Sequence, residues 1–362
     1  MKRTNFYEIH KGLGGKLVNF AGYEMPVQYS KGILHEHMSV RNAVGMFDVS
    51  HMGEVEVRGA DALAFIQKIT INDASKLVEG KAQYSAMCYE DGGIVDDLLV
   101  YHCGDYYMLV INASNIDKDL EWMQRNAAGF ASLELKNVSD EINLLAVQGP
   151  KSRVTLQKLT ENTLDDIEFY AFQAGKLAGV DMIISRTGYT GVLGFELYFR
   201  GDVATSKKVW DAIVEAGAEF NLEPVGLGAR DTLRLEKGYA LYGNDIDKTT
   251  NPIEAGLGWI TKVNKGEFNG RDSIVAMKEN GATRKLTGLK VRAEKFLPRH
   301  GYKVTVDGQE VGYVTSGSIS PILNIGIAMA YINKEYAEPG AEVTIVGRKE
   351  APAEVVKPPF VV

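Results

Sequence analysis

Two adjacent acids inside an apolar strand pattern, Asp96 and Asp97 in Ile94-Val95-Asp96-Asp97-Leu98-Leu99-Val100-Tyr101, are the first residues here whose types and spacing could do chemistry. Successive side chains of a strand point to opposite faces. One acid can therefore reach solvent while the other faces whatever the sheet covers. A carboxylate buried without partners is costly, so the inward one needs a donor or a ligand. Asp97 shares its face with Leu99 and Tyr101, and Asp96 shares its face with Ile94, Leu98 and Val100. The period of two leaves open which face holds a site. Taken alone, the pair also fits a hairpin-end acid capping a turn.

A second candidate is Leu227-Gly228-Ala229-Arg230-Asp231-Thr232-Leu233-Arg234-Leu235-Glu236, where Arg230 and Arg234 share a helical face. Arg230, next to the glycine, could reach from a helix start toward a carboxylate or a polar ligand. The plainer account is an exposed helix with internal ion pairs. A third is the glycine-punctuated loop Arg186-Thr187-Gly188-Tyr189-Thr190-Gly191, placed after the apolar strand Met182–Ile184, where loops often contact ligands. Glu196 follows it as another acid within an apolar strand pattern, Gly194-Phe195-Glu196-Leu197-Tyr198.

Several familiar constellations fail. Gly12-Leu13-Gly14-Gly15-Lys16 lacks the spacing and the Ser/Thr of a phosphate loop. Asp245-Ile246-Asp247 starts like a calcium loop, but Thr250 stands where the turn needs Gly and Gly256 where it needs Glu. His35-Glu36-His37 spaces its imidazoles poorly for one helix face and fits a solvated surface better than a metal site. No Gly-x-Ser-x-Gly elbow is present. No metal is expected.

Strand and helix signals alternate up to about residue 280 and position these candidates. Glu54–Arg58 alternates polar and apolar, a half-buried strand ended by Gly59, and Asp61 is placed to cap a helix over Ala62–Thr70. A meander follows, Tyr84–Tyr89, Ile94–His102 and Tyr106–Asn112, and then a helix running through Trp122. The pattern then recurs. Gly59 to Thr70 and Gly149 to Thr160 each follow an apolar strand and share Gly, Gln-Lys and Thr at matching places. A later helix centres on Val209, Trp210, Ile213 and Val214. A duplicated α+β unit is the reading, and such halves usually enclose a ligand cleft. From Lys285 six short strands, Leu286–Val291, Tyr302–Val306, Val311–Thr315, Ile325–Tyr331, Val343–Val346 and Ala353–Val356, predict a small closed β domain. The boundary is expected within Glu279–Lys285.

The totals narrow the class. The 362 residues are too many for one core, so two or three domains are expected. A net charge of −7 argues against nonspecific nucleic-acid binding. No apolar run approaches the ~20 residues needed to span a bilayer, and the N-terminal stretch has no signal-peptide core. Cys88 and Cys103 are too few for a disulfide framework, and a reducing cytoplasm fits best.

Together these segments resemble the glycine cleavage T-protein (aminomethyltransferase) family. The resemblance runs through FAGYEMPVQY, FDVSHMGEVEV, NDASKL, YSAMCYEDGGIVDDLLVY, INASNIDKDLEWM, LLAVQGP, SRTGYTG, GLGARDTLRLEKGYALYGNDI, NPIEAGLGW, RHGYKV, TSGSISP and VVKPPF, in order over essentially the whole chain. It implies a folate-binding aminomethyltransferase fold of the α+β class. Residues 1–280 would form two intertwined α+β subdomains, duplicated halves around a central cleft, and residues 281–362 a C-terminal β-barrel. It implies transfer of the methylene carbon of an aminomethyl group, carried on lipoylated H-protein, to tetrahydrofolate as co-substrate, with release of ammonia.

The resemblance also assigns residues. The second acid of the GG-x-x-DD motif maps to Asp97, as the group that orients the folate amine nitrogens and accepts a proton. Glu196 matches the acid that grips the pterin, and Arg230 the arginine of the same site. Met52, Tyr84, Asn112, Tyr189 and Tyr239 match positions lining the pocket, and such side chains suit a flat ring system. One departure stands out: Val192-Leu193-Gly194 occupies the place where the family usually has Glu-Asp-Gly. The rivals are a folate-dependent demethylase of a small methylated substrate and a folate-binding regulator on the same fold. An intact Asp97 disfavours the regulator.

Overall fold

Helix α1 (Tyr7–Gly12) precedes a two-stranded ribbon of β1 (Lys16–Phe20) and β2 (Tyr23–Gln28), and helix α2 (Gly32–Asn42) leads into β3 (Gly45–Asp48). The structure, a computed structural model, describes all residues from Met1 to Val362. The period-two run forms β4 (Gly53–Arg58). Gly59 ends it at φ +100°, where an added Cβ would stand 1.9 Å from the Ser132 carbonyl oxygen. In α3 (Ala62–Ile69) the expected inward face is buried at Phe65, Ile66 and Ile69. Asp61 uses its Oδ2 to accept the Ser132 N–H at 2.8 Å. The meander is β5 (Ala82–Cys88), β6 (Ile94–His102) and β7 (Tyr106–Ile111), followed by α4 (Ile116–Asn126) and β8 (Glu134–Asn137).

The chain then repeats this plan with β9 (Ile142–Gln148), α5 (Ser152–Leu156), β10 (Phe172–Leu177), β11 (Val180–Ser185), β12 (Gly194–Arg200), α6 (Val203–Gly217) and a short β13 (Glu223–Pro224). One sheet has the order β5-β6-β7-β4-β8 and the other β10-β11-β12-β9-β3-β13. Four strands therefore occupy the same places in both. The likeness reaches single bridges: Thr70 pairs with Met87 and Thr160 pairs with Leu177, each antiparallel and isolated. The duplication seen over twelve residues of sequence thus extends through a whole sheet.

The chain divides into two compact units: Met1–Ile66, Ala74–Tyr84 and Leu98–Asp231 in the first, and Gln67–Asp73, Ser85–Asp97 and Thr232–Val362 in the second. In the first, Phe195, Leu197 and Phe199 of β12 point into an apolar core with Leu145, Val147, Trp210 and Ile213. The alternation of β12 therefore sends Glu196, Tyr198 and Arg200 to the other face. Within the second unit lie α8 (Arg271–Asn280) and a closed barrel of β14 (Arg284–Val291), β15 (Lys303–Val306), β16 (Gln309–Ile319), β17 (Gly326–Asn333), β18 (Glu342–Val346) and β19 (Glu350–Val356), in the order β14-β17-β16-β15-β18-β19. All six predicted strands are present. Closure leaves no unpaired edge. Helix α7 (Leu227–Glu236) carries residues of both units. No helix is long and apolar enough to cross a membrane.

Candidate ligand site

In the first unit the hydroxyls of four residues meet beside one carboxylate. Tyr101 Oη, from β6, lies 3.1 Å from Ser185 Oγ, 3.0 Å from Thr187 Oγ1 and 3.1 Å from Tyr198 Oη. Thr187 Oγ1 donates to Glu196 Oε2 at 2.5 Å, and Tyr198 Oη donates to the same oxygen at 3.4 Å. Both bonds fall on Oε2, which leaves Oε1 for a ligand. Burial raises the Glu196 pKa, while the Thr187 bond, the Arg230 charge and the Tyr198 bond work against that shift. The Arg230 guanidinium carbon lies over the Tyr189 ring, 4.5 Å from its centre, a cation–π contact that helps hold it in place. An acid with a free oxygen, an oriented guanidinium and an aromatic face can grip a planar polar ring by its edge.

The loop that carries Thr187 and Tyr189 is fixed by Gln148. Thr190 Oγ1 donates to Gln148 Oε1 at 2.8 Å, and Gln148 Nε2 donates to the Thr187 carbonyl at 3.2 Å. Arg41 Nη1 donates to the Thr190 carbonyl at 2.6 Å. Gly188 and Gly194 leave room for the Gln148 amide, because a Cβ on either would lie 2.2–2.3 Å from Gln148 side-chain atoms and displace it. His51, one residue before Met52, is buried with Nδ1 unpartnered. Burial, then the Arg230 charge, lowers its pKa to about 4 and keeps it neutral.

The other expected residues fall as follows. Met52, Tyr84, Asn112, Tyr189, Glu196 and Arg230 are half-buried and belong to the first unit. Asp97 and Tyr239 belong to the second. Asp96 is fully buried, whereas Asp97 is half-exposed, on the strand face that also carries Tyr101. Gly93, which precedes this strand, is held by close backbone approach: a Cβ there would lie 2.1 Å from the Lys248 carbonyl oxygen. Ile94 N–H donates to the Asp247 and Thr250 carbonyls, each at 3.1 Å, which sets where β6 begins.

Three expectations need correction. Helix α7 is not an exposed helix with internal ion pairs: Ala229, Leu233, Arg234 and Leu235 are buried. Arg234 pairs with Asp245 at 2.7 Å, and Ser316 and Thr315 also donate to that carboxylate. Arg234 and Asp245 are therefore framework, not ligand groups. His35-Glu36-His37 is not a solvated face, since Glu36 and His37 are buried. Glu36 accepts the backbone N–H of Tyr29 at 2.6 Å and of Gly226 at 2.9 Å. The strand at Glu54–Arg58 is not half-buried either, because Glu54 and Glu56 are buried along with Val55 and Val57.

The fold and the side-chain cluster define a duplicated α+β protein with a closed β-barrel and an acid near an arginine. Residues 6–265 match the model of the GCVT N-terminal domain, and residues 284–361 match that of the glycine cleavage T-protein C-terminal barrel domain. The chain belongs to the glycine cleavage T-protein family. It is 51% identical to an aminomethyltransferase of Halothermothrix orenii over the full length of both chains, and 54% identical to one of Bacteroides fragilis over 99% of each. The crystal structure of glycine cleavage system aminomethyltransferase T from Bartonella henselae superposes with a TM-score of 0.92 at 32% identity, over 99% of this chain and 98% of that one.

Proposed function

We propose that this chain is the aminomethyltransferase of a glycine cleavage system, moving the methylene carbon of an aminomethyl group on lipoylated H-protein to tetrahydrofolate and releasing ammonia. Full-length identity to aminomethyltransferases supports the activity. The observation that carries the folate reading is Glu196, with one oxygen held by Thr187 and Tyr198 and the other left open beside Arg230. That oxygen pattern suits the adjacent N–H donors of a pterin edge.

In this reading the pterin lies against Tyr189 and Met52, with Tyr84, Asn112 and Tyr239 lining the remainder of the pocket. Asp97 orients the folate amine nitrogens and takes the proton released as the new C–N bond forms. The carbon is electrophilic once ammonia leaves, so the protein mainly supplies proximity and a placed base. The reactive atoms belong to the carrier and the folate. The proposal also divides the chain at residue 280, with residues 1–280 as the folate-binding region and 281–362 as the barrel domain. It includes a cytoplasmic setting, supported by the free thiols of Cys88 and Cys103.

The test is formation of methylenetetrahydrofolate and ammonia from aminomethyl-loaded H-protein, comparing wild type with Asp97→Asn. Loss of the base is expected to slow transfer by about 10²–10⁴-fold while tetrahydrofolate still binds. Folate binding by the wild type without any transfer would overturn the reading.

A further inference from the structure

One carboxyl beside this site has no partner at all. Glu54 is fully buried on β4, and neither Oε1 nor Oε2 has a hydrogen-bond partner. Its backbone is fixed against one neighbouring segment, the N–H donating to Ser139 Oγ at 2.9 Å and the carbonyl accepting Val138 N–H at 2.9 Å. The side chain is therefore placed by the sheet.

Two residues along the same strand face, Glu56 is ion-paired with Arg58 at 3.0 Å and with Arg200 of β12 at 2.9 Å. That contact brings the Glu54 face of β4 against the face of β12 that carries Glu196 and Tyr198. Glu54 is near enough to couple electrostatically to both Tyr198 and Glu196. The titratable groups around Glu54 are Glu196 and Tyr198 from β12 and Tyr23 from β2, with Glu56, Arg58 and Arg200 further along. Glu196 has Thr187 and Arg230 to stabilise its negative charge. Glu54 has neither a cation nor a donor. Burial first, and then Glu196, hold its carboxyl protonated well above the usual carboxylate range. When two acids share a site, the one with poorer support keeps the proton.

We propose that Glu54 is a second ligand-contacting acid of this site, presenting a neutral O–H donor beside the Glu196 carboxylate, so that the two together recognise the donor–acceptor edge of a fused pyrimidinone ring. This rests on the folate reading above. Glu196 accepts the adjacent N–H groups of the ring, and Glu54 donates to the ring oxygen or nitrogen acceptor that flanks them. A buried acid with two idle oxygens destabilises the empty fold and becomes satisfied only when such an acceptor arrives.

The test is the dissociation constant of tetrahydrofolate from pH 6 to pH 9 for wild type, Glu54→Gln and Glu54→Met, with the melting temperature of each recorded. Gln keeps a neutral donor that cannot ionise. It is expected to bind within about threefold of wild type at pH 7 and to lose the wild-type weakening at alkaline pH. Met fills a similar volume without a donor and is expected to bind at least about tenfold more weakly while melting no lower than wild type. Met binding as tightly as wild type, or Gln and Met losing affinity equally with an unchanged pH profile, would overturn the role of Glu54 and leave the folate reading intact. No tetrahydrofolate binding by the wild-type chain would overturn both. If Met does not fold, the pH profile of Gln decides.

Discussion

Lys81 and Ala171 pair with one another as an isolated antiparallel bridge, and they are equivalent positions of the internal duplication. The bonds around them are reciprocal. Ala82 N–H donates to the Tyr170 carbonyl at 2.8 Å, and Phe172 N–H donates to the Gly80 carbonyl at 2.8 Å. A local two-fold relation between the repeats thus runs through this bridge. It ties the start of β5 to the start of β10, and so joins the sheet carrying Tyr101 to the one carrying Ser185 and Glu196.

The first prediction tests that join. Ala82→Pro removes one of the two reciprocal donors, expected to cost about 1–3 kcal/mol before any ring clash. Ala82→Gly keeps the N–H and should cost about 1 kcal/mol or less. Urea denaturation of both variants measures the difference. Equal losses would mean that the bond does not hold the repeats together.

The second prediction concerns pH. His51 is neutral in the fold with its pKa lowered from 6.5 to about 4, so its contribution is present above pH 6.5 and is lost as pH falls through about 4. The shift corresponds to about 3 kcal/mol. Glu54 has the opposite sign. Its pKa is raised above 4.5, so its contribution is full below that pH and is lost as pH rises through the raised value. Glu54→Gln should therefore match wild type near pH 4 and become the more stable of the two as pH rises toward 8. A stability difference that stays constant from pH 4 to pH 8 would contradict this.

Much of the frame was legible because it depends on local pattern. The six barrel strands, the meander and the face alternation of Asp96 and Asp97 follow from periodicity and turn residues. What failed depends on distant partners. Glu36 looks solvated until the Gly226 N–H is known to reach its Oε2. Glu54 looks half-exposed because Glu-Val-Glu-Val-Arg alternates, and only Arg200 of β12 reveals that this face is covered. Arg230 and Arg234 have the same spacing signal, yet Asp245 claims only Arg234. The hydroxyl cluster of Tyr101, Ser185, Thr187 and Tyr198 has no sequence signal, since it joins strands of two different sheets.

The third prediction follows from Asp245. Arg234→Met leaves this buried carboxylate without its cation, although Ser316, Thr315 and the Leu241 N–H still donate to it. Breaking one side of such a pair is expected to cost about 3–5 kcal/mol. Replacing both partners with Arg234→Met and Asp245→Leu should recover part of that loss. A double variant no better than the single one, measured by chemical denaturation, would show that the surrounding donors and not the charge pair set the cost.

The last prediction addresses the Val192-Leu193 departure. Leu193 packs against the core that contains Val147, Phe195 and Trp210, and its carbonyl accepts the Gly149 N–H at 2.7 Å. Its side chain is therefore part of the packing beneath β12 and does not line the ligand site in place of a lost charge. Leu193→Asp, which restores the usual family residue, would set a carboxylate against apolar neighbours. A loss of about 1–3 kcal/mol of stability is expected. Val192→Glu has no such core contact to break, since Val192 is absent from that apolar cluster. It should leave the melting temperature nearly unchanged. Tetrahydrofolate affinity separates packing from recognition: if Leu193→Asp tightened binding about tenfold without loss of stability, the charges would belong to the ligand site and the packing account would be wrong.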